Sequence, residues 1–288
     1  MATPSSPITP AAATVDAADF DSEAFEAEWR QWHAERVRRL AAPHGFLAVT
    51  ALHWLDGEPR PVTGIPGLWW TERDTVKVRL QDGDSLSQPA PQGTRTITGV
   101  HVFDPIPERG DVQLELGDTR IEIAKRGGRH IVRPRSPWSP LLRGFRGVPA
   151  YAADPRWAVR GVFRRFDEPR PTTVGSVADG IRHVYDAPGA VEFTLHGAVH
   201  SLTAFNGHRP GTLTVLFTDA TSGHSTYAAN RSLELTPAPD GTVLVDFNRA
   251  VNLPCAFTDL ATCPLPPTEN RLPVAIEAGE TIPYERGA

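Results

Sequence analysis

The ten residues LELGDTRIEI (114–123) carry the signal that decides the fold. Apolar and polar side chains alternate on both sides of Gly117-Asp118, a pair suited to a tight turn, so the stretch reads as a β-hairpin. The same style extends outward in both directions. Before it lie FLAVTALHWL (46–55), DTVKVRL (74–80) and TRTITGVHVF (94–103), and after it RHIVRP (129–134). The second half repeats it with WAVRGVF (157–163), TTVGSV (172–177), RHVYD (182–186), VEFTLHG (191–197), VHSLTAFN (199–206), GTLTVLFTD (211–219), STYAANRSLEL (225–235) and TVLVDFNRAV (242–251). Many short strands with little helix between them predict a mainly β protein, an antiparallel sandwich or barrel-like body.

One N-terminal α-helix stands apart. In DSEAFEAEWRQWHAERVRRLAAPHG (21–45), Phe25, Trp29, Trp32 and Leu40 recur at helical spacing, with Val37 near their face. Asp21, Glu23 and Glu26 open the segment, and Arg36, Arg38 and Arg39 close it, which suits the helix dipole. Pro43 and Gly45 stop it. The tryptophans read as a face docked on the body rather than a ligand cage. The expected organisation is a disordered tail over 1–20, the helix over 21–43, an N-terminal β subdomain over 44–136 and a C-terminal one over 137–288. RPRSPWSPLLRGF (133–145) is the seam.

Composition narrows the function. The 288 residues are 40% hydrophobic and 22% charged, enough to bury an ordinary core. A net charge of -5 excludes a general nucleic-acid surface. No stretch approaches a membrane span, and MATPSSPITPAAATVDAAD (1–19) has neither the basic nor the apolar region of a secretory signal. A cytoplasmic protein is expected, in which thiols stay reduced; an oligomer is compatible with all of this.

FTDATSGHSTYAANRSLEL (217–235) and DFNRAVNLPCAFTDLATCPLPPTENRLPVAIEAGE (246–280) resemble the bacterial and archaeal family DUF1684, a domain of unknown function. The resemblance is carried by Asp219, Thr221, Gly223, Thr226, Tyr227 and Arg231. It continues through Asp246, Phe247, Asn248, Asn252, Cys255, Cys263, Pro264, Glu269, Asn270, Gly279 and Glu280. HGFLAVTALHWLDG (44–57) is similar to the family's opening segment, with Phe46 at its tryptophan. Val251, Leu253 and Asn230 depart from the family pattern, as does an arginine near HIVRPRSPWSP (130–140) where an acid is expected. The resemblance implies a family and no activity.

Read as a continuous strand, TVLVDFNRAV places Asp246, Asn248 and Ala250 on one face, and STYAANRSLEL places Tyr227, Ala229 and Arg231 on one face. Together they form a wall closed by the Cys-Pro loop. Such a wall suits a polar, anionic small molecule. Arg231, Asn248, Arg249, Asn270 and Asp219 are the ligand-binding candidates, Asp246 a general base and Tyr227 a donor. The competing reading is architectural: Arg231 forms a buried ion pair with Asp246 or Asp219, while Asn248 and Asn270 satisfy loop backbone.

Cys255 and Cys263 admit three readings: buried structural thiols, a redox pair, or a reactive or ligand-lining thiol. Their spacing is too wide for a usual zinc motif, and no metal site is expected. His196 and His200 flank Gly197 in a turn, and no P-loop, nucleophile elbow or dinucleotide fingerprint occurs. The functional expectation is a cofactor-independent enzyme or pocket protein, using acid-base or hydrolytic chemistry. The alternative is a non-catalytic carbohydrate, peptide or protein-binding β module using Trp69, Trp70 or Trp138.

Overall fold

The computed structural model describes residues 21–284, so the tail expected over 1–20 lies outside the described residues. Helix α1 (Ser22–Leu40) begins at Asp21, whose carboxylate accepts from the backbone N–H groups of Glu23 and Ala24 at 3.0 and 3.2 Å. It ends three residues before the expected 43. Pro43 disfavours a helical residue before it and donates no hydrogen bond.

The first β body holds β1 (His53–Trp54), β2 (Arg60–Pro61), β3 (Leu68–Glu72), β4 (Thr75–Arg79) and β5 (Leu86–Ala90). It continues with β6 (Gly93–Ile97), β7 (Val100–Val102), β8 (Asp111–Leu116), β9 (Thr119–Arg126) and β10 (Arg129–Arg135). Two antiparallel sheets, ordered β1-β10-β9-β8-β5-β6 and β2-β3-β4-β7, enclose a core of Trp69, Val76, Val78, Leu86, Leu114, Ile121 and Ile123. The hairpin read from LELGDTRIEI is present, with Leu116 opposite Thr119 and Gly117 at φ +54°, a backbone state that glycine adopts without a Cβ penalty.

After the short helix α2 (Pro140–Gly144), the second body is one curled sheet. Its strands are β11 (Ala158–Gly175), β12 (Arg182–Leu195), β13 (Ala198–Asn206), β14 (Leu213–Phe217), β15 (Arg231–Leu235), β16 (Thr242–Asp246) and β17 (Val251–Asn252). The order is β16-β11-β12-β13-β14-β15-β17. Its two edge strands are neighbours in sequence, so the sheet bends round on itself without a ladder to close it. Phe193, Leu202, Val215, Phe217, Leu233, Val245 and Phe247 fill the concave side.

Two pairs of expected strands prove to be single long ones. WAVRGVF and TTVGSV belong to β11, and RHVYD and VEFTLHG to β12. The prolines and glycine between them read as breaks, but the ladder crosses them through a register shift between Arg165 and Arg170. Among the described residues no helix is long and apolar enough to cross a membrane.

Helix α1 belongs to the second body by contact. Trp29 donates its indole N–H to the Asn248 carbonyl at 2.8 Å, and Arg36 donates to the Glu280 carboxylate at 2.9 Å and the Asn252 carbonyl at 2.8 Å. Leu40 is buried with Leu47, Val148, Ala256 and Phe257. Trp29 thus docks as expected.

Candidate ligand groove

The expected wall of Tyr227, Arg231, Asp246 and Asn248 does not form, because neither strand runs as far as alternation suggests. β16 stops at Asp246, and Phe247–Arg249 make one 3-10 turn. Asp246 caps that turn, accepting from the Asn248 N–H at 3.0 Å and side-chain amide at 2.8 Å. The turn drops Phe247 into the core and sends Arg249 outward, so Asp246, Asn248 and Ala250 share no strand face. Likewise β15 begins only at Arg231, leaving Tyr227 and Ala229 in the preceding loop.

Arg231 and Asp219 form a fully buried ion pair at 2.8 Å. Arg231 also donates to the carbonyls of Ile276 at 3.0 Å and Ala278, while Asp219 accepts from Thr221 N at 2.8 Å, Thr221 Oγ1 at 2.6 Å and Ile276 N at 3.2 Å. Burial lowers the Arg231 pKa, and Asp219 opposes that shift. Asn270 spends its amide on backbone as well, donating to Thr203 O and Leu216 O at 2.8 Å and accepting from Thr203 N at 2.7 Å. Asn248 bridges Asp154 in the same way. These side chains pin the irregular C-terminal segment onto the curled sheet.

Tyr227, Cys255 and Cys263 gather elsewhere. Cys255 and Cys263 are buried with Ala261, and Phe46, Val177, Leu253 and half-buried Tyr227 pack against them. The sulfurs are not bonded to each other, and the Cys263 sulfur accepts from Cys255 N at 3.4 Å. The side-chain hydrogen bond with Cys255, followed by burial, pushes the Cys263 thiol far up, which keeps it protonated and a poor nucleophile.

Arg249 lines a groove that none of the other anticipated residues lines. This groove of about 890 Å³ lies between α1 and the convex side of β14, β15 and β17. Strand alternation builds its floor: Leu213, Val215, Leu233 and Leu235 point into the core, so Thr214, Ser232, Glu234 and Val251 point out. The helix supplies Glu28, Gln31, Trp32, Glu35, Arg36 and Arg39 to the other wall. His208 and Arg209, from the turn between β13 and β14, close one end. Arg249 pairs with Glu28 across the gap, lies 3.2 Å from Asp246 and sits over the Trp32 ring at 5.7 Å. Burial raises the Asp246 pKa, with Asn248 and Arg249 opposing. Arg209 pairs with Glu234, and no ion pair among the described residues uses Arg39.

Four guanidinium groups, three carboxylates (Glu28, Glu35 and Glu234), one imidazole, an indole and a row of hydroxyls therefore face one volume. Sequence reasoning did not find Trp32, Arg36, Arg39 or Arg209 as ligand groups. The RVRR run (36–39) was accounted for by the helix dipole, and Arg209 drew no reading. Nothing local marks them as neighbours across a groove.

Residues 143–281 match a family model described as a protein of unknown function, DUF1684. No curated protein matches the chain. A solution NMR structure of an uncharacterized protein from Haloarcula marismortui is similar at 31% sequence identity, covering 49% of this chain and 79% of that one, with a TM-score of 0.42. The match takes in the Asp219–Arg231 pair, the Asp246 turn and the Cys-Pro loop, and residues 143–281 thus belong to the DUF1684 family.

Proposed function

We propose that this protein is a cytoplasmic pocket protein for a polar small molecule that carries an acidic group, held in the groove between α1 and the sheet. The supporting observation is the convergence of Arg36, Arg39, Arg209 and Arg249 with the Trp32 indole in a volume of about 890 Å³. Pockets for small ligands commonly span about 300–1,000 Å³. Guanidinium groups match carboxylate and phosphate oxygens by forked hydrogen bonds.

Their present ion pairs do not prevent this. Arg36 stays on the buried Glu280 and lends charge at the rim, while the Arg209–Glu234 and Arg249–Glu28 pairs are largely solvent-accessible, and such pairs are worth at most about 1 kcal/mol, so a ligand anion can displace them. Thr214, Ser232 and Thr236 suit a hydroxylated ligand, and Trp32 suits the apolar face of its ring. The best-matched class is an acidic or phosphorylated sugar. Binding is favoured over catalysis because the groove presents no thiol, and because Asp246 is covered by Arg249 and Asn248.

The test is isothermal titration with glucose 6-phosphate, glucuronate and glucose. Binding of an acidic sugar, weakened more than tenfold in both Arg39→Ala and Arg209→Ala, supports the reading. Failure of both acidic sugars to bind, or equal affinity for plain glucose, rejects it.

A further inference from the structure

A second charged site lies at the junction of the two bodies, on the face of the β9–β10 hairpin turned away from the first core. Ile121, Ile123 and Val132 fill that core, so Glu122, Arg126, Arg133 and Arg135 fall on the other side. Glu122 and Arg133 face each other in register, each 3% exposed. Glu122 accepts from Arg133 Nε at 3.1 Å and again from its Nη2, from Arg135 Nη2, and from Arg126 Nη2 at 3.3 Å. Burial pushes the Glu122 carboxyl up, but Arg133 and Arg135 together outweigh it and hold it below the usual range.

The charges do not balance. Three guanidinium groups meet Glu122, and even with Asp111 acting on Arg126 one positive charge is left over, because arginine does not shed its proton to escape burial. Nearby Glu108 and Arg109 cancel, Glu108 accepting from Gly127 N and Gly128 N while Arg109 stacks on Tyr185 at 4.3 Å. One donor also remains uncommitted: Arg135 Nε is buried without a partner. The Phe46 ring lies against both guanidiniums, at 5.1 and 5.2 Å, and packs in turn on the Cys255–Cys263 cluster beside Tyr227. The far wall therefore belongs to the second body. The side chain of Arg135 keeps 16% exposure, which gives a path from solvent.

We propose that Arg133 and Arg135, floored by Phe46 and faced by the Cys-Pro loop, hold a small oxyanion at this junction, a phosphate or carboxylate group that neutralises the excess charge and ties the two bodies together. The ligand takes the free donor at Arg135 Nε and competes with Glu122 for the neighbouring guanidinium donors of Arg133 and Arg135. The site is separate from the α1 groove and uses none of its residues.

The experiment is thermal unfolding of the full chain in chloride buffer, titrated with inorganic phosphate or acetate at fixed ionic strength. One of the two anions should raise Tm saturably, and which one does so identifies the head group. Arg135→Gln should weaken that anion at least tenfold. Arg135→Lys, which keeps the charge but loses the fork, should also weaken it and serves if Arg135→Gln does not fold. Glu122→Gln removes the competing carboxylate and should bind the anion more tightly, whereas a merely structural cluster would lose in every variant. Absence of a saturable effect with both anions, or an unchanged affinity in the Arg135 variants, overturns the proposal. So does weaker binding in Glu122→Gln.

Discussion

Replacing Arg231 by methionine tests whether the central arginine of the family motif is scaffold or ligand clamp. The side chain is fully buried and makes a 2.8 Å ion pair with Asp219, which is equally buried. Methionine fills similar space but leaves a carboxylate in the interior with no cation. Breaking a buried pair from one side costs about 3–5 kcal/mol. The carbonyls of Ile276 and Ala278 also lose their donor, at about 1 kcal/mol each. The expected loss is therefore about 5–7 kcal/mol, a large share of the 5–15 kcal/mol that typically holds a domain folded. Urea unfolding followed by near-UV circular dichroism reads it directly. Asp219→Asn should cost somewhat less, because Thr221 and Ile276 still have an oxygen to bond. The double variant should be milder than the two single losses added together, since neither charge is then stranded. If both single variants unfold within about 1 kcal/mol of the parent yet lose ligand binding, the scaffold assignment is wrong and Arg231 is a clamp.

Three further outcomes follow from particular contacts. Gly279→Ala should destabilise by at least about 2 kcal/mol in the same urea assay, because φ is +78° and the new Cβ would sit 2.6 Å from Ala250 O and 2.8 Å from Phe247 O; a neutral result would show that this backbone can shift. Native protein should resist iodoacetamide at pH 8 while urea-unfolded protein takes two adducts by intact mass, since Cys255 and Cys263 are buried and the Cys263 thiol is pushed up; rapid labelling of the folded chain would contradict this. Burial lowers the pKa of His33, His130 and His183. A lowered folded pKa means full stability above the unfolded value of about 6.5 and loss as pH falls below it toward the folded values, so the urea midpoint should drop as the pH is taken below about 6.5. His183→Asn should flatten part of that slope, and an unchanged slope would remove His183 from the explanation.

How much of this was legible in advance depends on the range of the interaction concerned. The LELGDTRIEI hairpin follows from two-residue alternation and a Gly-Asp turn, and α1 from helical spacing bracketed by Asp21 and Pro43. The all-β class followed from the same local periods. Where a local signal was ambiguous the reading failed. DFNRAV alternates as a strand does, yet Asp246 caps a 3-10 turn, because burying Phe247 against Phe193 and Phe217 draws the chain out of the sheet. Pro169, Pro171 and Pro188 looked like strand ends, yet β11 and β12 pass them by slipping register.

The sequence by itself determined which residues alternate, where the helix starts and stops, and that the Asp-Asn-Cys-Pro segment belongs to a recognisable family. Only the tertiary structure decided which charges meet. Arg39 and Arg209 are far apart in the chain and share a groove because α1 folds back over β14 and β15. Glu122 gathers Arg126, Arg133 and Arg135 because a strand register sets them side by side and a second body covers them. Alternation assigns a side chain to a face, but the partner across that face comes from elsewhere in the chain, so ion pairing and burial are properties of the packed molecule.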